Sequence, residues 1–172
     1  MEKKLIKAIL DVIKDVKDRP SIYGVQFVGH EHISGVPHIY FTDGYVAVRL
    51  ECGVFEGLRP INENMWVGGE QLQSIYKDMK TKDVCLNFHD DKMNHVELEN
   101  FWTQWNANRD DTDLMAMSPG VFKKLAPFGN MIIRLTKGND GSGKLAKFSG
   151  RGVQALVCPL TKQMEEELCK YQ

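Results

Sequence analysis

The sequence predicts an α+β fold in which short amphipathic helices are each followed by a small antiparallel meander. Three observations lead there. Apolar residues recur at helical spacing in three separate stretches. Runs of alternating or continuous apolar residues, rich in Val, Ile and Phe, lie between those stretches. Glycine-containing turn signals separate the runs closely enough for hairpins rather than crossovers. The 172 residues, 42% apolar and 26% charged, have a globular composition with enough apolar content for a core.

The first helix is expected over Lys3–Lys17, with Leu5, Ile6, Ile9, Leu10, Ile13 and Val16 on one side. It should end near Asp18, because Pro20 disfavours helical geometry at Arg19. Strands are expected at Ile22–Val28, Pro37–Thr42 and Tyr45–Glu51, the last two joined by the two-residue turn Asp43-Gly44. A second unit opens at Met65–Val67 and continues into a helix from Gly69 to about Lys80, with Leu72, Ile75, Tyr76 and Met79 on one face. Val84, Leu86 and Phe88 then alternate as a strand, with Val96 and Leu98 as its hairpin partner. A third unit runs from an extended Leu114–Met117 through a short helix bearing Val121, Phe122, Leu125 and Ala126, stopped by Pro127 and Gly129. Strands Met131–Thr136, Lys144–Ser149 and Val153–Val157 complete it.

The second and third units superimpose in sequence: Met65 falls on Met115, Val67 on Met117, Leu72 on Phe122 and Ile75 on Leu125. Any two strand-helix-strand segments align in this way to some degree. The helix and meander of the first segment have the same order again, so the chain reads as about three copies of one supersecondary unit.

With that order on the page, particular motifs take on a likeness. The first helix, then Arg19-Pro20-Ser21, a strand, and IYFTDGYVAV at residues 39–48 resemble the opening of bacterial DNA sliding clamps, the beta subunit of the replicative polymerase. VQALVCPL at residues 153–160 resembles the clamp's closing strand, with Cys158 where methionine is usual, and Ser118–Leu125 resembles the helix before it. The likeness covers most of the chain in outline and few positions strictly. It departs from the family in unit number, about three half-domain units against six. The family's strand before the first helix has no counterpart here, and neither do residues 99–113 and 161–172. The nearest form is a shortened clamp of the kind encoded by bacteriophages and mobile elements.

The resemblance implies a clamp-like domain over 1–106, a third half-domain unit over 107–160, and a C-terminal helical tail over 161–172. It implies a non-enzymatic processivity or accessory factor in DNA replication that tracks double-stranded DNA without reading sequence and tethers a polymerase or related protein. Helices would line the DNA side, which makes Lys3, Lys7, Lys14, Lys17, Lys77, Lys80, Lys123 and Lys124 the candidate phosphate contacts. Lys123 and Lys124 are expected as an exposed pair. The tethering pocket would be walled by Val157, Cys158, Pro159 and Leu160. A homo-oligomer follows from the unit count, since a closed ring of the usual size would need about four such chains. The alternative is a clamp-like protein-interaction module that does not bind DNA.

Charge and motif content narrow the remaining classes. Lys plus Arg total 22 against 23 acidic residues, so nucleic acid is not wrapped by the whole surface, although one basic face remains open. No apolar run is long enough for a membrane helix and the start offers no signal-peptide pattern, which points to a soluble, cytoplasmic chain. Cys52, Cys85, Cys158 and Cys169 are scattered, with no C-x-x-C pair, and read as reduced thiols. Gly138–Leu145 nearly matches a phosphate-binding loop, but Leu145 supplies no hydroxyl and a strand follows, so a hairpin turn is the better reading. His30 and His32, with His38 nearby, have the makings of metal ligands but read as solvent-exposed loop residues; Asp90-Asp91 with His89 and His95, and Asp110, Asp111 and Asp113, resemble a two-metal nuclease set but sit at turn signals, where carboxylates bond backbone. No catalytic residue, metal or cofactor is expected. Phe101, Trp102 and Trp105 are assigned to a core or a subunit contact. The tail carries Met164, Leu168 and Tyr171 as one apolar stripe that folds back on the domain.

Overall fold

The computed structural model describes residues 1–30, 34–55, 57–58, 63–79, 90, 98–100, 102, 110–111, 117–137 and 144–158. Among the described residues, and apart from a helical stretch at Leu98–Asn100 and Trp102, three α-helices and eight strands follow in the order α1 (Lys3–Ile13), β1 (Gly24–Val28), β2 (His38–Thr42), β3 (Val46–Glu51), β4 (Met65–Gly68), α2 (Gly69–Asp78), β5 (Asp110–Asp111), α3 (Pro119–Leu125), β6 (Ile132–Lys137), β7 (Lys144–Gly150) and β8 (Val153–Val157). The strands form one sheet, ordered β4-β1-β2-β3-β8-β7-β6-β5, in which every pairing is antiparallel. A helix followed by a three-strand meander occurs twice, as α1 with β1–β3 and as α3 with β6–β8. The two meanders meet at the sheet's centre, where Val46 pairs with Val157 and Leu50 with Val153.

Helical spacing puts Leu5, Ile6, Ala8, Ile9, Val12 and Ile13 on one buried stripe of α1. The last turn tightens into a 3-10 segment at Lys14–Val16, so the α-helix stops four residues short of the expected Lys17. The backbone N–H of Arg19 donates to Val16, and those of Ile22 and Tyr23 donate back to Arg19, carrying the chain round Pro20 into β1. In α2, Gly69 is required by close approach: a Cβ there would enter the Tyr23 ring. The Gln73 side chain donates to the Tyr23 hydroxyl at 2.7 Å, and the Gly69 N–H donates to the Tyr23 carbonyl at 2.8 Å, so α2 is docked on the start of β1. In α3 the Ser118 hydroxyl accepts from the Gly120 N–H, with Pro119 at the first helical position.

All three helices pack on one face of the sheet, where their apolar stripes join Val25, Phe27, Ile39, Phe41, Val48, Leu50, Phe148, Ala155 and Val157 in the main core. The opposite face buries a smaller set, Val28, Tyr40, Ala47, Trp66, Leu98, Trp102, Leu145 and Leu156. Trp102 thus belongs to a core, its ring 6.0 Å from that of Tyr40. Leu98 corrects an expectation. Leu98–Asn100 and Trp102 are helical, not a hairpin strand, because the buried Gln26 side chain on β1 accepts from the Leu98 N–H at 2.9 Å and fixes a helix start against the sheet.

The β2–β3 turn is one residue longer than expected. Asp43 accepts from both the Tyr45 and the Val46 N–H groups, at 2.8 and 2.7 Å, which holds Tyr45 out of the strand. Gly44 takes φ +89° in that turn, the left-handed region that suits glycine. The strand expected around Val84–Phe88, Val96 and the turn at 138–143 lie outside the described residues. The flanks of that turn, Lys137 and Lys144, are paired across β6 and β7. Residues 144–150 are therefore strand, with no helix start to hold a phosphate.

Candidate functional site: a helix face and an outer cleft

The helix face carries most of the candidate lysines, in differing states. From α1, Lys3 reaches the end of α2, and Asp15, in the 3-10 turn that follows α1, reaches Lys124 on α3. The Lys3 ammonium donates to the Met79 carbonyl at 2.6 Å, at the end of α2, and lies 4.9 Å from the Tyr76 ring centroid. Lys3 is therefore partly buried in the α1–α2 contact and satisfies a helix-end carbonyl. Lys7 pairs with Asp11 one turn on at 2.6 Å, and that carboxylate raises the Lys7 pKa.

Lys124 corrects the sequence expectation of an exposed pair. Its ammonium bridges Asp43 at 2.6 Å and Asp15 at 2.8 Å, its side chain 22% exposed and that of Asp43 only 3%. Burial pulls the Lys124 pKa down, but the hydrogen bonds and charges of Asp15 and Asp43 outweigh it and hold the pKa above the ordinary lysine value. The hydrogen bond from Lys124 in turn holds the Asp15 carboxyl below its usual range. Lys123 points to solvent, as do Lys14, Lys17 and Lys77. Lys80 lies outside the described residues. Lys4, absent from the sequence candidates, is also exposed.

On the opposite face a cleft of about 180 Å³ opens beside β8. Ala47, Leu98, Leu145 and Leu156 line it from the sheet side, with Ile22, Thr42, Gly44, Tyr45 and Cys158 completing the wall. Its lining is almost wholly apolar, yet Tyr45 at its rim is 71% exposed. Cys158 lines it: its N–H donates to the Tyr45 carbonyl at 2.8 Å, and burial, with the Asp43 charge adding, pushes the thiol pKa up. Val157 does not belong to it. Successive strand residues point to opposite faces, so Val157 is fully buried under the helices and Leu156 takes the cleft position. Pro159 and Leu160 lie outside the described residues. Asp43 could be read from the sequence as a turn residue, but its ion-pair partner is 81 positions away and had no local signal. Long separation in sequence also hides Leu145 and Leu98, which join Ala47 only in the folded outer face.

The residues read as lying in loops and turns divide where they are described: Asp90 bonds backbone as a turn residue does, whereas His38 opens β2 and Asp110–Asp111 form β5. His38 is buried, its Nδ1 2.9 Å from the Val36 carbonyl, and Asp90 accepts from the Trp66 N–H at 3.0 Å. Asp110 and Asp111 pair by backbone with Thr136 and Leu135 of β6. Among the described residues no helix is long and apolar enough to cross a membrane. Among the described residues, the cysteines are Cys52, which is buried, and Cys158, which is exposed.

No protein-family profile matches the sequence, and no curated protein matches it significantly. Among solved structures, the fold is similar to that of DNA polymerase III subunit beta from Borrelia burgdorferi, at a TM-score of 0.53 and 10% identity. The match covers 94% of this chain and 63% of that one, so the chain spans less than two thirds of its structural relative. At that identity the likeness is one of fold: a clamp-like arrangement of helices on an antiparallel sheet.

Proposed function

We propose that the protein is a shortened DNA sliding clamp, a non-enzymatic processivity or accessory factor that tracks duplex DNA through its helix face and tethers a replication protein through the cleft beside β8. The observation that carries the reading is the segregation of the fold: the helices collect on one face of the sheet, and an apolar cleft opens on the other, in a chain that is clamp-like over 94% of its length. Phosphate contacts are assigned to Lys14, Lys17, Lys77, Lys80 and Lys123, with Lys7 available at the cost of an exposed ion pair. Lys3 and Lys124 are held by internal partners and serve the fold first.

Assembly belongs to the same proposal. Among the described residues, β5 pairs with Leu135 and Thr136 of β6, and Ile132 and Ile133, 65% and 43% exposed, lie further along that strand. An apolar strand edge of this kind favours pairing with a second copy. With about three half-domain units to a chain, a ring would take about four chains.

Retention separates this reading from its rival. A clamp loaded on closed circular duplex stays bound through a high-salt wash and is released when the circle is cut, because topology rather than charge holds it. Loss from circle and linear DNA alike sinks the ring. The rival, a clamp-like interaction module that binds no DNA, is favoured by the pairing of Lys7 and Lys124 with carboxylates of the protein itself and by the engagement of Lys3 with a helix-end carbonyl.

A further inference from the structure

Lys124 holds two carboxylates of unequal standing. Asp43 is buried, and it is fixed from three directions: Oδ1 accepts from the Tyr45 and Val46 N–H groups, and Oδ2 accepts from Lys124 at 2.6 Å. Breaking that last contact would strand a buried charge. Asp15 reaches the same ammonium at 2.8 Å, but its side chain is 57% exposed, and an exposed pair of this kind contributes little. One partner therefore fixes where the ammonium lies, and the other is held to it weakly enough to be exchanged.

The chemistry of the site calls for an anion in that exchange. Two carboxylates against one ammonium leave one negative charge in excess, which repels a phosphate for as long as Asp15 stays. A phosphodiester carries the same single charge as a carboxylate and accepts through oxygen in the same way, so it can take the place of Asp15 with no change of charge at Lys124. The surroundings favour it. Lys14 and Lys17, three apart in the tight turn that follows α1, share one side of that turn, and both are exposed, as is Lys123 next to Lys124 on α3. Lys14 also gives the displaced carboxylate a second cation, since its charge already acts on the Asp15 carboxyl.

We propose that Lys124 is a phosphate contact of the helix face and that Asp15 occupies the phosphate's place until duplex DNA displaces it. Asp15 is then a competitor built into the DNA face, a role that rests on the DNA-tracking reading and deepens it. It weakens binding by the same factor on every sequence and keeps the contact short-lived, as movement along a duplex requires.

The test is duplex affinity, read by fluorescence anisotropy at one fixed salt concentration, for the wild type, Asp15→Asn and Asp18→Asn. Asp18 is exposed at the end of the same turn, whereas the carboxylates bonded to Lys124 are Asp15 and Asp43, so Asp18→Asn removes the same charge without releasing the ammonium. Asp15→Asn should bind about fivefold tighter than the wild type, the upper worth of an exposed pair. Asp18→Asn should gain about twofold at most, through screened repulsion alone. Equal gains overturn the proposal. The same Asp15→Asn change is then made in Asp43→Asn/Lys124→Met, which removes the ammonium, strands no carboxylate and keeps an amide oxygen at position 43 to accept from the turn. There the gain should fall to the Asp18→Asn level, and a gain that stays fivefold overturns the role of Lys124. If that background does not unfold cooperatively, the Lys124 ammonium nitrogen signal of the wild type, followed by NMR, replaces it. Duplex should shift that signal, and a signal left in place overturns the proposal. Duplex binding by none of the proteins removes the DNA reading and this role together, whereas binding by all with equal affinity removes this role alone.

Discussion

Along β3, Val46, Val48 and Leu50 go under the helices while Ala47, Arg49 and Glu51 go to the outer face; along β8, Val153, Ala155 and Val157 part in the same way from Gln154, Leu156 and Cys158. The helix side is closed by apolar contact from three helices. The outer side is a mosaic in which Arg49 bonds Gln154 and Ser34, at 3.1 and 3.3 Å, Trp102 covers Tyr40, and a cleft remains. The strand period of two thus divides labour within single strands: one set of residues holds the fold, and the other is left to meet partners.

The sharpest way to break that division is to cut one residue from each side of the same hairpin. Phe41→Ala removes a fully buried ring from the helix-side core and should cost about 4 kcal/mol of unfolding free energy in a denaturant titration. Tyr45→Ala, at an exposed rim position, should stay within about 0.5 kcal/mol of wild type. Equal losses would mean that the outer rim is structural after all.

Lys124 joins the two sides, because its ammonium reaches from α3 both to Asp15 on the helix face and to Asp43 in the turn that walls the cleft. Lys124→Met strands a buried carboxylate and should cost about 2–3 kcal/mol near neutral pH. The pH dependence follows from the directions of the shifts. The Asp15 pKa is lowered by Lys124, so its contribution is complete above the unfolded value near 4 and fades as pH falls through the lower folded value. The Lys124 pKa is raised, so its contribution is complete below the unfolded value near 10 and fades as pH rises through the higher folded value. The gap between wild type and Lys124→Met should therefore be flat between those limits and narrow beyond both. A gap that narrows near pH 7 would contradict the bridge.

The smallest effect on stability should come from reversing charge on the helix face. Lys14, Lys17, Lys77 and Lys123, changed together to Glu, should leave the thermal midpoint nearly unchanged, because exposed charges contribute little. Sequence-independent duplex binding, steeply dependent on salt in the wild type, should be lost in the same variant. Unaltered DNA affinity would remove the helix face from the function and favour the interaction module.

What was legible in the sequence follows the same division. The helix-side residues announce themselves by local period: Leu5, Ile6, Ile9 and Ile13 define α1, and Val153, Ala155 and Val157 define β8. The outer side depends on contacts between distant segments, where no period helps. The alternation around Leu98 suggests a strand, but its helix start is set by Gln26, 72 positions earlier. The motif at 153–160 locates the strand but not its facing, so it does not tell Val157 from Leu156 as the cleft residue. Nothing near Lys124 in sequence shows that Asp15 and Asp43 converge on it.

The central pairing of β3 with β8 also dictates when the molecule can finish folding. Arg49 and Gln154, bonded across that seam, are separated by 105 positions, so a ribosome must deliver nearly the whole described chain before β3 gains its second neighbour. Until then Val46–Glu51 is the open edge of a nascent four-strand sheet, rich in β-branched residues and able to pair with another unfinished chain. Closure of so long a loop makes the folding rate a property of topology more than of local propensity. Of the described strands, the last one made is the one that seals the middle.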